Sequence, residues 1–228
     1  MARKITKKDL TQPDSFQIAL ARASEFISEN KSKMYIFSGI ACFFILTVAA
    51  WHLYDTHNEN DAWVLYTKAH NATLKTTMSE ADIDQNALVK LFEDVVAQYP
   101  KTKAAQIAYY RMGNLYYQSN NMEASSKAYE EYLKRSPEDS ELTTLTYIGL
   151  GYCYENKKDY ARALEAFEKA ANTKAAGNFE SINYRNIARI YEEMHNMDKA
   201  IEYYKKSLEK TSDPSVEQMI KRQMSSLG

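Results

Sequence analysis

The side chains that most often carry chemistry are few in this 228-residue chain and poorly placed for it. Its histidines are His52, His57, His70 and His195. His52 and His57 are too far apart on a helix to share a face well, and no cysteine or carboxylate joins them at metal-ligand spacing. Gly149-Leu150-Gly151 lacks the rest of a phosphate-binding loop. Neither Ser nor Cys sits in a nucleophile-elbow context. Cys42 and Cys153 stand in unrelated segments, so no disulfide framework is expected. The expectation is no catalytic, metal or cofactor site. What remains is recognition chemistry. Tyr110, Asn114, Tyr117 and Gln118 recur in spacing as Ile148, Tyr152, Glu155 and Asn156, and again as Arg185, Arg189, Glu192 and Glu193. Tyr and Arg are frequent binding anchors. Asn114 suits a peptide backbone, and Arg185 with Arg189 suits a carboxylate. The alternative is a solvated face on which the two arginines pair along the helix with Glu192 and Glu193.

These residues are positioned by a pattern written three times. One copy holds Tyr109, Met112, Gly113, Tyr116, Ser125, Tyr129 and Pro137. The second holds Tyr147, Leu150, Gly151, Tyr154, Ala163, Phe167 and Ala170. The third holds Tyr184, Ile187, Ala188, Tyr191, Ala200, Tyr204 and Ser207. This is the tetratricopeptide-repeat pattern, a helix–turn–helix unit of about 34 residues. Gly113, Gly151 and Ala188 mark close approach of the paired helices, with Ser125, Ala163 and Ala200 as the small partners. The aromatics fill the core. The recognition residues fall on the first helix of each pair, at positions this packing leaves free, and so line the groove of the solenoid.

Composition agrees with an all-helical chain: 6 Gly and 4 Pro are too few for a turn-rich β fold, while 18 Tyr supply the repeat positions. The net charge of -1 gives no field that demands nucleic acid.

Met34–Tyr54 holds no Asp, Glu, Lys or Arg. A helix of that length covers about 30 Å, the thickness of a bilayer core. Tyr35, Trp51 and Tyr54 stand near its ends, where amphipathic rings favour headgroups. Seven Lys/Arg precede it, Lys31 and Lys33 immediately, and none follows until Lys68. Positive flanks stay in the cytoplasm, so the amino end is expected inside and the rest outside. The long basic region and the poor cleavage site at Val48-Ala49-Ala50-Trp51 point to a retained anchor. Before it, Phe16, Leu20, Ala23 and Phe26–Ile27 follow Pro13 at helical spacing. They predict a helix of roughly 15 residues that lies on the membrane or a partner, or that simply continues into the span.

The expected organisation is residues 1–33 as a cytoplasmic tail with that short helix, 34–54 as a transmembrane helix and 55–228 as a periplasmic repeat domain. Its opening repeat is degenerate. A helix from Asp61 to about Lys75 carries Trp63, Leu65, Tyr66 and Ala69. A long polar loop at Thr76–Asp84 follows, then a helix with Leu88, Phe92 and Val95 before Pro100. About four extra residues around Glu138–Leu142 precede the second clear repeat, while repeats two and three join with little slack. Asp213 is a candidate N-cap for a last helix beginning at Pro214. Val216, Met219, Ile220 and Met224 line one face of it, as a cap on the solenoid or as a homo-oligomer contact.

The basic tail, single span, degenerate first repeat, three better repeats and closing Met219-Ile220-Lys221-Arg222-Gln223-Met224-Ser225-Ser226-Leu227 segment together resemble the ancillary SecYEG translocon subunit family of bacterial inner-membrane proteins. The resemblance covers essentially the whole chain in order and length. It implies a periplasmic domain that links the translocon to periplasmic chaperones or emerging unfolded clients, with no catalytic residues. A scaffold for envelope assembly or cell division is the alternative.

Overall fold

A computed structural model describes residues 15–79, 84–135 and 140–227. All the helices of regular length in those residues are α-helices, and no strand occurs among them: α1 Ser15–Glu29, α2 Lys31–Ser79, α3 Gln85–Gln98, α4 Lys103–Gln118, α5 Met122–Leu133, α6 Glu141–Asn156, α7 Tyr160–Asn172, α8 Glu180–Glu193, α9 Met197–Lys210 and α10 Pro214–Ser225. The chain divides into two compact units after Thr56.

The first unit contains α1 and the start of α2. Helix α1 has the expected length and leaves Phe16, Leu20 and Phe26 more than half exposed. Pro13, expected to open it, lies outside the described residues. Asn30 alone separates the two helices. Its N–H donates to Phe26 O at 3.1 Å, and its carbonyl accepts from Met34 N at 2.9 Å. Helix α2 is long and apolar enough to cross a membrane. Its side chains from Tyr35 to Tyr54 are exposed all round, and Thr47 satisfies its own hydroxyl by donating to Phe43 O at 2.8 Å. Both features suit a lipid surround, where a polar group must find its partner within the helix.

Helix α2 does not stop at the apolar run. It continues for 49 residues in all, and so also supplies the first helix of the opening repeat. From Ile40 to Ser79 there is neither Gly nor Pro to interrupt it. The expected loop is correspondingly shorter. Thr76–Ser79 are helical, residues 80–83 lie outside the described set, and Asp84 already caps α3 by accepting from Asn86 N at 2.9 Å.

In the second unit the helices pair as the repeat pattern requires: the end of α2 with α3, then α4–α5, α6–α7 and α8–α9, followed by α10. Tyr66 meets Phe92 edge-on at 5.7 Å in the first pair. A Cβ on Gly113 would stand 2.5 Å from the Tyr129 ring, and one on Gly151 would stand 2.4 Å from the Phe167 ring. The small residue of each first helix thus faces the aromatic of its second helix. Gly149 extends the rule. A Cβ there would lie 2.7 Å from the far edge of Tyr129, so that ring is clasped by a glycine of its own repeat and one of the next.

The turns within the clear repeats are alike. Asn120, Lys158 and His195 take positive φ values of 60°, 59° and 58°. Asn121, Asp159 and Asn196 then cap the second helices by accepting from Ala124 N, Arg162 N and Lys199 N. His195 is therefore a turn residue.

The joints between repeats differ from expectation in one place. A six-residue 3-10 turn, Lys174–Phe179, separates α7 from α8, so repeats two and three are not tightly joined. Pro137, Glu138 and Asp139 lie outside the described residues, and Ser140 caps α6 by accepting from Thr143 N at 3.1 Å. Asp213 caps α10 as expected, accepting from Ser215 N at 2.8 Å. Ile220 is wholly buried in the same cluster as Tyr204, with Val216 and Met224 packed against it, while Met219 stays 37% exposed.

Candidate protein-binding groove

Side chains from the first helices of successive repeats meet in a row. Its opening members were not among the expected site residues. Tyr66 and His70 stack at 6.0 Å, Trp63 meets Tyr66 edge-on at 5.2 Å, and Arg111 Nε donates to the Tyr66 hydroxyl at 3.2 Å. The signal was present in the spacing. Tyr66 and His70 stand four apart, as do Tyr110 and Asn114, Ile148 and Tyr152, and Arg185 and Arg189.

In the next repeat Tyr110 is half-buried, with its ring 6.1 Å from Tyr129 and 6.0 Å from Tyr132. Asn114 is already engaged: its Oδ1 accepts from the Tyr129 hydroxyl at 2.6 Å, a bond that leaves the amide nitrogen unused. Tyr117 is 37% exposed and stands 6.4 Å from Tyr152 of the following repeat. Burial raises the Tyr117 phenol above its ordinary value, so it is a neutral donor at physiological pH. Gln118 is exposed beside it.

Tyr152 ties the row to the last repeat. Its ring packs edge-on against Phe167 at 5.4 Å, and its hydroxyl shares a bond of 3.1 Å with Asn186 Nδ2. Asn156 is exposed at the end of α6. Ile148 departs from expectation. It is 6% exposed and belongs to the core, because α6 is covered on that side by its neighbours.

The two arginines do not act as a pair. Arg189 forms a fork with Glu155, Nε to Oε1 and Nη2 to Oε2 at 2.7 Å each, and lies 5.6 Å over the Tyr152 ring. Burial, the largest single cause, pulls its pKa down, but the bonds and charge of Glu155 together with Tyr152 and Tyr204 outweigh it, so the net shift is upward. Arg185 instead reaches α10, with Nη1 4.0 Å from Met219 Sδ. Nor do they pair along the helix: Glu192 accepts from the Tyr204 hydroxyl and Glu193 from the Tyr160 hydroxyl, both at 2.9 Å. The acid that satisfies Arg189 lies one repeat back, 34 residues away in the chain.

Among the described residues no three of His, Cys, Asp or Glu gather where they could hold a metal ion. Cys153 is buried, and its thiol is pushed up by that burial while it donates to Ser125 Oγ at 3.2 Å.

Solved structures share this architecture. The crystal structure of MamA protein matches with 23% identity over 66% of this chain and 73% of its own, at a TM-score of 0.53. BtubC (BKLC) from P. vanneervenii matches with 13% identity over 76% and 82%, at 0.59. A putative kinesin light chain of nearly identical TPR-like repeats from Podospora anserina matches with 12% identity over 71% and 84%, at 0.56. At these identities the likeness is one of fold. No curated protein matches the chain. Repeat proteins of this kind are generally non-catalytic scaffolds that bind other proteins. The family profile of the tetratricopeptide repeat-like domain matches residues 24–228, and with its helix pairs, glycine contacts and turns now placed, the chain belongs to that family.

Proposed function

We propose that the chain is a membrane-anchored, non-enzymatic adaptor that holds protein partners along its first-helix row. The observation that carries this reading is the row of rings Trp63, Tyr66, Tyr110, Tyr117 and Tyr152, of which Trp63 and Tyr117 remain 36% and 37% exposed. Large, rigid aromatic surface left open along one row is the usual material of binding hot spots. Asn156 and Arg185 extend the row, and Arg189 serves it through Glu155 and Tyr152.

In this reading residues 1–33 are a cytoplasmic tail, 34–54 a span of the bacterial inner membrane and 55–228 a periplasmic domain. The distribution of basic residues around the apolar run supports that orientation. The resemblance to the ancillary SecYEG subunit family supports translocon subunits, periplasmic chaperones or unfolded clients as the partners.

Two measurements test it. A reporter fused after Leu227 should be active as a periplasmic fusion, and one that works only in the cytoplasm sinks the orientation. A photocrosslinker at Tyr117, activated in native membranes, should trap translocon subunits or periplasmic chaperones. Trapping of division or envelope-assembly proteins instead would move the adaptor to that role, and no adduct at any row position would end the groove reading.

A further inference from the structure

The second-helix aromatics Tyr129, Phe167 and Tyr204 are preceded by Ala128, Ala166 and Tyr203. In the last repeat the Tyr203 ring sits between the two repeat tyrosines of α8. Its centroid is 6.2 Å from Tyr184 and 5.5 Å from Tyr191, stacked on the latter at 30°. Lys206 Nζ lies 4.2 Å over the Tyr203 ring.

In the middle repeat the corresponding slot is open. A cavity of about 260 Å³ lies between Tyr147 and Tyr154, with Leu150, Ala166 and Leu133 in its lining. Tyr152, two residues from Tyr154, points to a different face of α6, so this cavity is separate from the first-helix row. Its frame repeats the frame around Tyr203. Arg162 stands 4.6 Å over Tyr154 as Lys199 stands 4.9 Å over Tyr191. Lys169 pairs with Glu165 at 2.7 Å as Lys206 pairs with Glu202 at 2.6 Å. Ala166 supplies a methyl group where Tyr203 supplies a phenol. The first clear repeat does not share the frame, since Ala124 and Glu131 occupy the places of Arg162 and Lys169.

We infer that the slot between Tyr147 and Tyr154 receives one aromatic side chain, tyrosine or phenylalanine, from a partner polypeptide, seated as Tyr203 is seated in the next repeat. The apolar lining takes the ring out of water. Electrostatic complementarity selects the class of side chain: Lys169 and Arg162 line the slot beside the carboxylates of Glu130 and Glu165, a mixed rim that disfavours a free anion, while the electron-rich face of a neutral ring suits the two cations. Their charges are already balanced by Glu165 and Asp159, at 2.7 Å and 2.5 Å, so a free anion gains less there than a neutral ring. The chain itself shows the fit, because its own Tyr203 occupies the same surroundings one repeat later.

The test uses the full chain in lipid nanodiscs with methyl-labelled alanine and leucine, titrated with N-acetyl-tyrosinamide and, as control, N-acetyl-alaninamide. The tyrosine probe should give a saturable upfield ring-current shift of the Ala166 and Leu150 methyls, and the control should give none. Ala166→Tyr copies the last repeat, so it should keep the fold and weaken the Leu150 response by about tenfold or more. Tyr203→Ala should open a second slot, with a new response at Ala171, which follows Phe167 as Leu133 follows Tyr129. If that variant does not fold, the other two proteins decide. A wild-type chain with no saturable Ala166 shift, or a Leu150 response undiminished in Ala166→Tyr, overturns the inference.

Discussion

Arg189 and Glu155 are joined by two bonds across the boundary between the second and third clear repeats, each 2.7 Å long. Their side chains are 29% and 22% exposed, so the pair is neither free in solvent nor sealed from it. A forked, charge-assisted pair of this kind holds orientation as well as energy. Arg189→Ala is therefore expected to lower stability by about 1–2 kcal/mol, above the range of exposed pairs and below that of fully buried ones. Glu155→Ala should cost a similar amount, and the double variant little more than either. Urea unfolding of the four proteins checks this. Additive losses would mean that the two groups act separately. A binding assay on Arg189→Ala alone would mix recognition with stability, so Tyr117→Ala is the cleaner probe of the groove.

Gly151 is predicted to be the least replaceable of the repeat glycines. Its missing Cβ would fall 2.4 Å from Phe167, whose ring is wholly buried and has nowhere to go. Gly151→Leu should cost about 3 kcal/mol or more. Gly151→Ala should cost about 1 kcal/mol, since a helix-propensity gain of about 1 kcal/mol offsets part of the clash. Ala188 holds the same place in the third repeat, so the fold can accommodate a methyl when the facing ring is set for it. Equal melting temperatures for wild type and the leucine variant would break the register.

The three left-handed turns differ in how well their residues suit them. Asn and, to a lesser degree, His tolerate positive φ, whereas Lys does so at a larger cost. Lys158→Gly should stabilise the chain by about 0.5–1 kcal/mol, His195→Gly by less, and Asn120→Gly should do little. Thermal melts would order the three, and a loss of stability at Lys158→Gly would contradict the turn geometry.

Asn183 is completely buried, and neither its Oδ1 nor its Nδ2 has a hydrogen-bond partner among the described residues. The same place holds Ala108 and Thr146 in the other repeats, and Thr146 satisfies itself by donating to Leu142 O at 2.6 Å. Each unmet polar group typically costs about 1–3 kcal/mol. Asn183→Thr should raise the unfolding free energy by about 1–2 kcal/mol; a drop would show that the asparagine is held by something its helix neighbours do not reveal.

Alkaline pH should unfold the repeats through their tyrosines. Burial, then the bond to Glu130, pushes Tyr154 up to about 12, and burial likewise raises Tyr129 and Tyr204. A raised tyrosine keeps its proton in the folded state while the unfolded chain loses it near 10. The stability it contributes is whole below about pH 10 and is lost as pH rises through the folded value. Unfolding free energies measured from pH 8 to pH 12 should fall most steeply above 10, and Tyr154→Phe should flatten the fall.

Much of this architecture was legible in the chain because repeat packing is local. Gly113 and Gly151 each face an aromatic on the next helix of the same pair, and Ala188 shares a buried cluster with Tyr204, so spacing alone places them. Asp213 and Pro214 mark the last helix for the same reason. What spacing does not show is the opposite wall. Glu155 finds Arg189 only when two repeats stack, and Ile148 is buried by neighbours that α6 does not contain. The helix through Lys31–Ser79 reads as two elements because its apolar and amphipathic halves follow different patterns, although no residue between them stops it. The Tyr66–His70 pair was hidden by the weakness of its repeat, not by its spacing.

The ring of Tyr129 is gripped by Gly113 and Gly149, one from its own repeat and one from its successor. The first clear pair is thus finished by the one that comes after it, and at the end of the row Ile220 of α10 lies in the cluster around Tyr204. The joint at Tyr129 is therefore directional. Asn186 stands where Gly149 does one repeat later, so a duplicated repeat inherited just after Tyr129 would have to bring its own glycine to that place.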